Sequence, residues 1–91
     1  MIQTWWLSFV KDNQSLGVCI VEPESEELEE DDKKGWLAEA VRMAWMMCCN
    51  PGGSVGAHRL DHLETWQKNK DRFPKNRLLS VEDIRRIDNE T

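Results

Sequence analysis

The chain has no tyrosine and only three prolines, and no apolar stretch in it approaches the roughly 20 residues that cross a bilayer. A membrane span is therefore not expected. The opening residues Met1-Ile2-Gln3-Thr4-Trp5-Trp6 lack a basic stretch and a small-residue cleavage site, so they do not read as a signal peptide. Cysteine is scarce and odd in number: Cys19, Cys48 and Cys49, the last two adjacent. That pattern argues against a disulfide framework and for reduced thiols in a cytoplasm. There is no internal repeat, no low-complexity segment beyond one acidic run, no standard zinc spacing and no catalytic signature. These absences predict a soluble cytoplasmic protein that works by binding, without a catalytic centre or a cofactor.

What is present is compact. Ninety-one residues with an apolar fraction of 40 % form one domain, 1–91, with a modest stability margin that oligomerisation would raise. The net charge of −5 is unevenly spread. An acidic segment, 22–34, holds Glu22, Glu24, Glu26, Glu27, Glu29, Glu30, Asp31 and Asp32. A basic loop, 67–77, holds Lys68, Lys70, Arg72, Lys75 and Arg77. The overall acidity disfavours nucleic acid as a partner.

Thr4 to Val10 reads as a strand, because aromatic and β-branched residues dominate it. Trp5, Leu7 and Phe9 share its core face, which leaves Trp6 on the more polar side. Lys11 to Ser15 reads as a five-residue turn. Leu16 to Glu22 is a second strand with Leu16, Val18 and Ile20 inward, so the pair forms an antiparallel hairpin. A helix is expected from just before Trp36 to the Met/Trp/Cys-rich stretch Ala44-Trp45-Met46-Met47-Cys48-Cys49. Apolar residues there crowd every side, which implies burial on several sides or against a partner. Asn50-Pro51-Gly52-Gly53 suits a type II turn. Ser54 to Leu60 is a third strand. Asp61-His62-Leu63-Glu64 matches a capping box for a short helix, and Ser80-Val81-Glu82-Asp83 matches another for a last helix within 80–89. The expected fold is α+β: β-β-α-β with strand order 2-1-3, one main helix on one face and short C-terminal helices. The open edges and second face of such a sheet point to a homo-oligomer.

Four motifs, Trp5-Trp6-Leu7-Ser8-Phe9-Val10, Leu16-Gly17-Val18-Cys19-Ile20-Val21-Glu22, Asn50-Pro51-Gly52-Gly53 and Asn76-Arg77-Leu78-Leu79-Ser80, resemble those of a family of small uncharacterised proteins met in bacteriophage and bacterial genomes. The resemblance supports the fold outline and implies a phage origin, with no activity to carry over. The chain departs from the family pattern in its long acidic insert and in Cys48-Cys49, where a glycine-aliphatic pair is more usual.

Two sets of candidate site residues follow. The first is partner-binding: Glu26, Glu27, Glu29, Glu30, Asp31 and Asp32, able to dock on a basic surface, with Trp45 as an exposed aromatic anchor. It makes the chain a non-enzymatic, phage-encoded interaction protein that binds and modulates a host or defence protein. Removing Glu26 to Asp32 should then abolish binding and leave the fold intact. The alternative set is ligand-binding, for a nucleotide-like molecule held between protomers. Trp6 and Trp66 would stack on the base, while Arg59, His58 and the backbone of Asn50, Gly52 and Gly53 would meet phosphate. A metal set of Cys48, Cys49, His58 and His62 is disfavoured by spacing. Cys-His catalysis is disfavoured because a helix C-terminus raises a thiol pKa.

Overall fold

A computed structural model describes residues 1–48 and 50–89. β1 (Trp5–Lys11) and β2 (Gln14–Val21) pair antiparallel. They turn at Asp12-Asn13, whose φ values of 52° and 63° lie in the left-handed region. Asp and Asn tolerate that region, and two such residues make the turn whose twist suits a hairpin. The connection is thus two residues long, not five, with Lys11 opposite Gln14.

The register slips once. Phe9 faces Gly17 but Val10 faces Ser15, so Leu16 is the extra residue of a bulge. Leu16 therefore packs with Trp5, Leu7 and Phe9, whereas Val18 and Ile20 point to the opposite face. Simple alternation had placed all three together.

α1 (Lys33–Cys48) lies across the first face. It buries Trp36, Ala40, Ala44 and Cys48, one row spaced by four residues. The Asp32 carboxylate accepts the Gly35 N–H at 3.0 Å and caps the helix. At its far end Cys48 is joined to Cys19 of β2 by a disulfide across 29 residues, with the Cα atoms 6.4 Å apart. The expected reduced state of these two thiols is corrected. Cysteine spacing does not reveal that the last residue of the helix returns over β2. Cys49 lies outside the described residues.

Asn50 Oδ1 accepts the Gly52 N–H at 2.9 Å, and Gly52 takes φ 85°, the value a type II turn requires after proline. β3 (Ser54–Arg59) then pairs antiparallel with β1. The β2-β1-β3 order is as expected, but the sheet has four strands, in the order β3-β1-β2-β4. β4 (Leu78–Leu79) is too short to show a period in sequence. It approaches β2 because Gly17 has no side chain: a Cβ there would lie 2.9 Å from both Leu78 Cδ1 and the Leu79 carbonyl oxygen. Two of the four motifs therefore interlock through Gly17.

The main helix covers one face, and the short helices cover the other. α2 (Glu64–Asn69) and α3 (Val81–Asn89) close the second face over Val18, Ile20, Leu60, Trp66 and Leu79, with Trp6, Phe73 and Ile84 packed alongside. The α3 capping box forms as expected: Asp83 N–H donates to Ser80 Oγ, and Ser80 N–H to Asp83 Oδ2, both at 3.1 Å. The Asp61 box does not. Leu63 precedes α2 with no side-chain cap, because the Asp61 carboxylate is taken by Thr4 and Arg59. No described helix is long and apolar enough to cross a membrane.

Candidate functional site

α1 packs over β1 and β2 and leaves the same face of β3 uncovered. The result is an open groove of about 1160 Å³. Trp5, Val55 and Ala57 form its floor and Leu37 its wall. Glu29, Glu30 and Asp31, with Lys33 beside them, form a rim where α1 begins; Arg59, His58, His62 and Leu63 border that end. Helical spacing continues Leu37 through Val41 to Trp45 along the flank of α1. Trp45 is 50 % exposed, next to Met46 and Met47, which are at least as open. The all-round apolarity of this helix is thus not used up by the fold.

The rim is built rigidly. Ser25 Oγ accepts the N–H groups of Glu27 and Leu28, each at 3.2 Å. The Trp36 indole N–H donates to the Glu29 carbonyl at 2.8 Å, and Gln3 Nε2 to the Glu30 carbonyl at 3.0 Å. Leu28 packs against the first core. The carboxylates of Glu26, Glu27, Glu29, Glu30 and Asp31 face solvent from this fixed backbone, while Asp32 serves as the helix cap. The segment also holds Trp36, Gln3 and the start of α1. Its deletion is therefore not neutral for the fold, contrary to expectation, and charge reversal is the clean perturbation.

Arg59 is held at the acidic end. Its Nε and Nη2 donate to the two oxygens of Asp61, each at 2.8 Å, and Nη2 also reaches Glu30 at 3.4 Å. The hydrogen bond to Asp61 raises the guanidinium pKa further above its usual range. Burial pushes the Asp61 carboxyl up, but the bonds from Arg59 and from the Thr4 N–H outweigh it, and the pKa falls below the ordinary carboxylate value.

The expected residues divide. The acidic rim and Arg59 meet at the groove, which His58 borders from β3 while its position opposite Trp6 puts its side chain on the other face of the sheet. Asn50, Gly52 and Gly53 form the turn before β3, where Gly53 sits against the Val10 carbonyl. Trp6 and Trp66 lie within the second core around Phe73, with ring centroids 6.2 Å and 6.1 Å from it. Trp66 is buried and Trp6 half-buried, so neither is presented to the groove. Sequence reasoning missed Gln3, whose buried amide accepts the Trp5 indole N–H and anchors the rim. It also missed Val55 and Ala57 as floor residues. Only the small-residue character of β3 hinted at them. Among the described residues no group of three or more His, Cys, Asp or Glu side chains is arranged to hold a metal.

This arrangement is an acidic, apolar-floored groove on an α+β domain. Comparison with known families, curated proteins and solved structures returned no match.

Proposed function

We propose that the chain is a non-enzymatic interaction protein whose groove and acidic rim receive a basic and apolar segment of a partner protein. One observation carries this: a rigid rim of carboxylates at one end of an apolar groove whose flank leads to exposed Trp45 at the other. Burying an aromatic anchor supplies affinity, while the rim selects positive charge and speeds encounter. The opening suits a polypeptide segment better than an enclosed small molecule, whose pockets run to about 300–1,000 Å³ and bury most of the ligand. The nucleotide-like alternative gains Arg59 at the groove. However, its phosphate would meet Glu29, Glu30 and Asp31, and the guanidinium it needs is already paired. The fuller reading, a phage-encoded protein that modulates a host or defence protein, rests on the four-motif resemblance.

The test is selection of a displayed random peptide library on the chain, followed by affinity measurement on the enriched peptides. Basic and apolar sequences are expected, with binding that weakens steeply toward about 1 M salt, where the screening length is about 3 Å. Joint reversal of Glu29, Glu30 and Asp31 to lysine, and separately Trp45→Ala, should each reduce affinity by tenfold or more, at roughly 1.4 kcal/mol per decade. Glu64→Lys on α2 should not. Enrichment of acidic or no peptides, or affinity indifferent to the rim and Trp45, overturns the reading.

A further inference from the structure

β3 ends the sheet with a six-residue open edge, whereas the opposite edge strand β4 has two residues. The Leu60 N–H donates to the Thr4 carbonyl at 2.7 Å, and the pairs Trp6–His58, Ser8–Gly56 and Val10–Ser54 continue that register. Antiparallel ladders alternate, so these are the hydrogen-bonded pairs. The backbone N–H and C=O groups of Val55, Ala57 and Arg59 therefore point away from β1, out of the edge. The usual protections of an edge strand are absent from it: Ser54-Val-Gly-Ala-His-Arg59 has no proline, no lysine and no bulge toward β1.

We propose that this edge pairs with β3 of a second copy of the chain, antiparallel about a two-fold axis at Ala57, and so joins the two four-stranded sheets into one. Three features select a second copy as the occupant. The centre is small: Gly56 has open space around it, and Ala57 faces Ala57 across the axis. The flanking residues oppose no like charges, because Val55 of each copy faces Arg59 of the other on the α1 side. The ends are complementary. The acidic rim stands at the Arg59 end of β3. Exposed Lys11 stands at the Ser54 end, where it borders Gly53, and strand alternation puts it on the same face. An antiparallel pairing brings the lysine end of one copy to the acidic end of the other. α2 and α3 close the second face over β1, β2 and β4 and leave β3 exposed at Ser54, Gly56 and His58, so β3 is the place for the oligomer that the sequence suggested. Pairing shares Val55, Ala57 and the acidic rim with the groove, so the mass of the chain alone reads the pairing and peptide affinity reads the groove.

The decisive experiment is native mass spectrometry with light scattering at micromolar concentration. The wild type should have twice the chain mass of 10.7 kDa. Val55→Lys sets a positive charge toward the acidic end around Arg59, where Asp61 and Glu30 already pair the guanidinium, twice over, once in each symmetric pair, and should keep or tighten the dimer. Val55→Glu sets a carboxylate toward Asp61, Glu30 and the rim and should weaken the dimer about tenfold. Ala57→Pro removes an outward N–H that β1 does not use, so it should give a folded monomer by circular dichroism. The proposal is overturned by a wild type of 10.7 kDa throughout, or by a dimer in which Val55→Lys and Val55→Glu behave alike. The Val55 pair decides the matter even if the proline variant does not fold.

Discussion

Asp61 ties the start of β1 to the end of β3, and its removal has an effect that can be worked through. Its carboxylate accepts three hydrogen bonds: the Thr4 N–H at 3.1 Å and two from Arg59 at 2.8 Å. Thr4 is buried, so Asp61→Ala strands a backbone donor, which costs about 1–3 kcal/mol. The Arg59 bonds are partly exposed, and Glu30 still faces the guanidinium, so their loss adds only about 0.5–1 kcal/mol. The sum is about 1.5–4 kcal/mol. Unfolding entropy near 2.1 cal/mol/K per residue gives about 190 cal/mol/K for this chain, and the melting temperature should fall by about 8–20 °C. Asp61→Asn keeps an acceptor for Thr4 and should lose only about 1 kcal/mol, or about 5 °C. Because the folded-state pKa of Asp61 lies below its ordinary value, its ionised form stabilises the fold above the unfolded pKa, near 3.9. That contribution is lost as pH falls through the folded pKa. The gap between wild type and Asp61→Asn should therefore be full at neutral pH and shrink below about pH 4. Differential scanning calorimetry at both pH values checks this. An Asp61→Ala melting point within about 2 °C of wild type, or a gap to Asp61→Asn that ignores pH, refutes the reasoning.

Further outcomes follow from the packing. Of the three cysteines, two are bonded, so thiol titration of denatured, unreduced protein should find one free group, and finding three would show that the bond does not form. Cys19→Ser should lower the unfolding free energy by about 3–4 kcal/mol in chemical denaturation, from the closed 29-residue separation. Ser80→Ala breaks the reciprocal cap of α3 and should cost about 1 kcal/mol in the same assay. Phe73→Ala empties the space between Trp6 and Trp66 and should cost about 2–3 kcal/mol, less than a fully buried phenylalanine. Tryptophan emission should shift to the red in that variant, and an unchanged spectrum would mean that the ring does not shield the two indoles.

The local elements were legible where local chemistry decides them. β-Branched and aromatic residues mark β1 and β2, Asn50-Pro51-Gly52-Gly53 marks the turn, and Ser80 with Asp83 marks the last helix. What could not be read depends on partners far along the chain. Trp66 looks exposed among Glu64, Gln67 and Lys68, yet Phe73 and Trp6 bury it. Asp61 has the right spacing for a cap, yet a guanidinium and a strand N–H compete for it more strongly. β4 exists because Gly17 leaves room for it, and a single glycine in a strand does not announce what approaches it. At the groove, the acidic rim and Arg59 were visible as charges. Its floor was not, because Val55 and Ala57 acquire meaning only from where α1 stops covering the sheet.

The two cores also differ in when they can close. Every fully buried member of the first, from Trp5 through Cys19 and Val21 to Cys48, lies in the first 48 residues, with Ala57 and Leu78 only at its margin. The second needs Leu60, Trp66, Leu79 and Ile84. A chain emerging from the ribosome can therefore fold α1 onto the hairpin while Trp6, Val18 and Ile20 still face water, and during synthesis this bare side is the surface that a chaperone would meet.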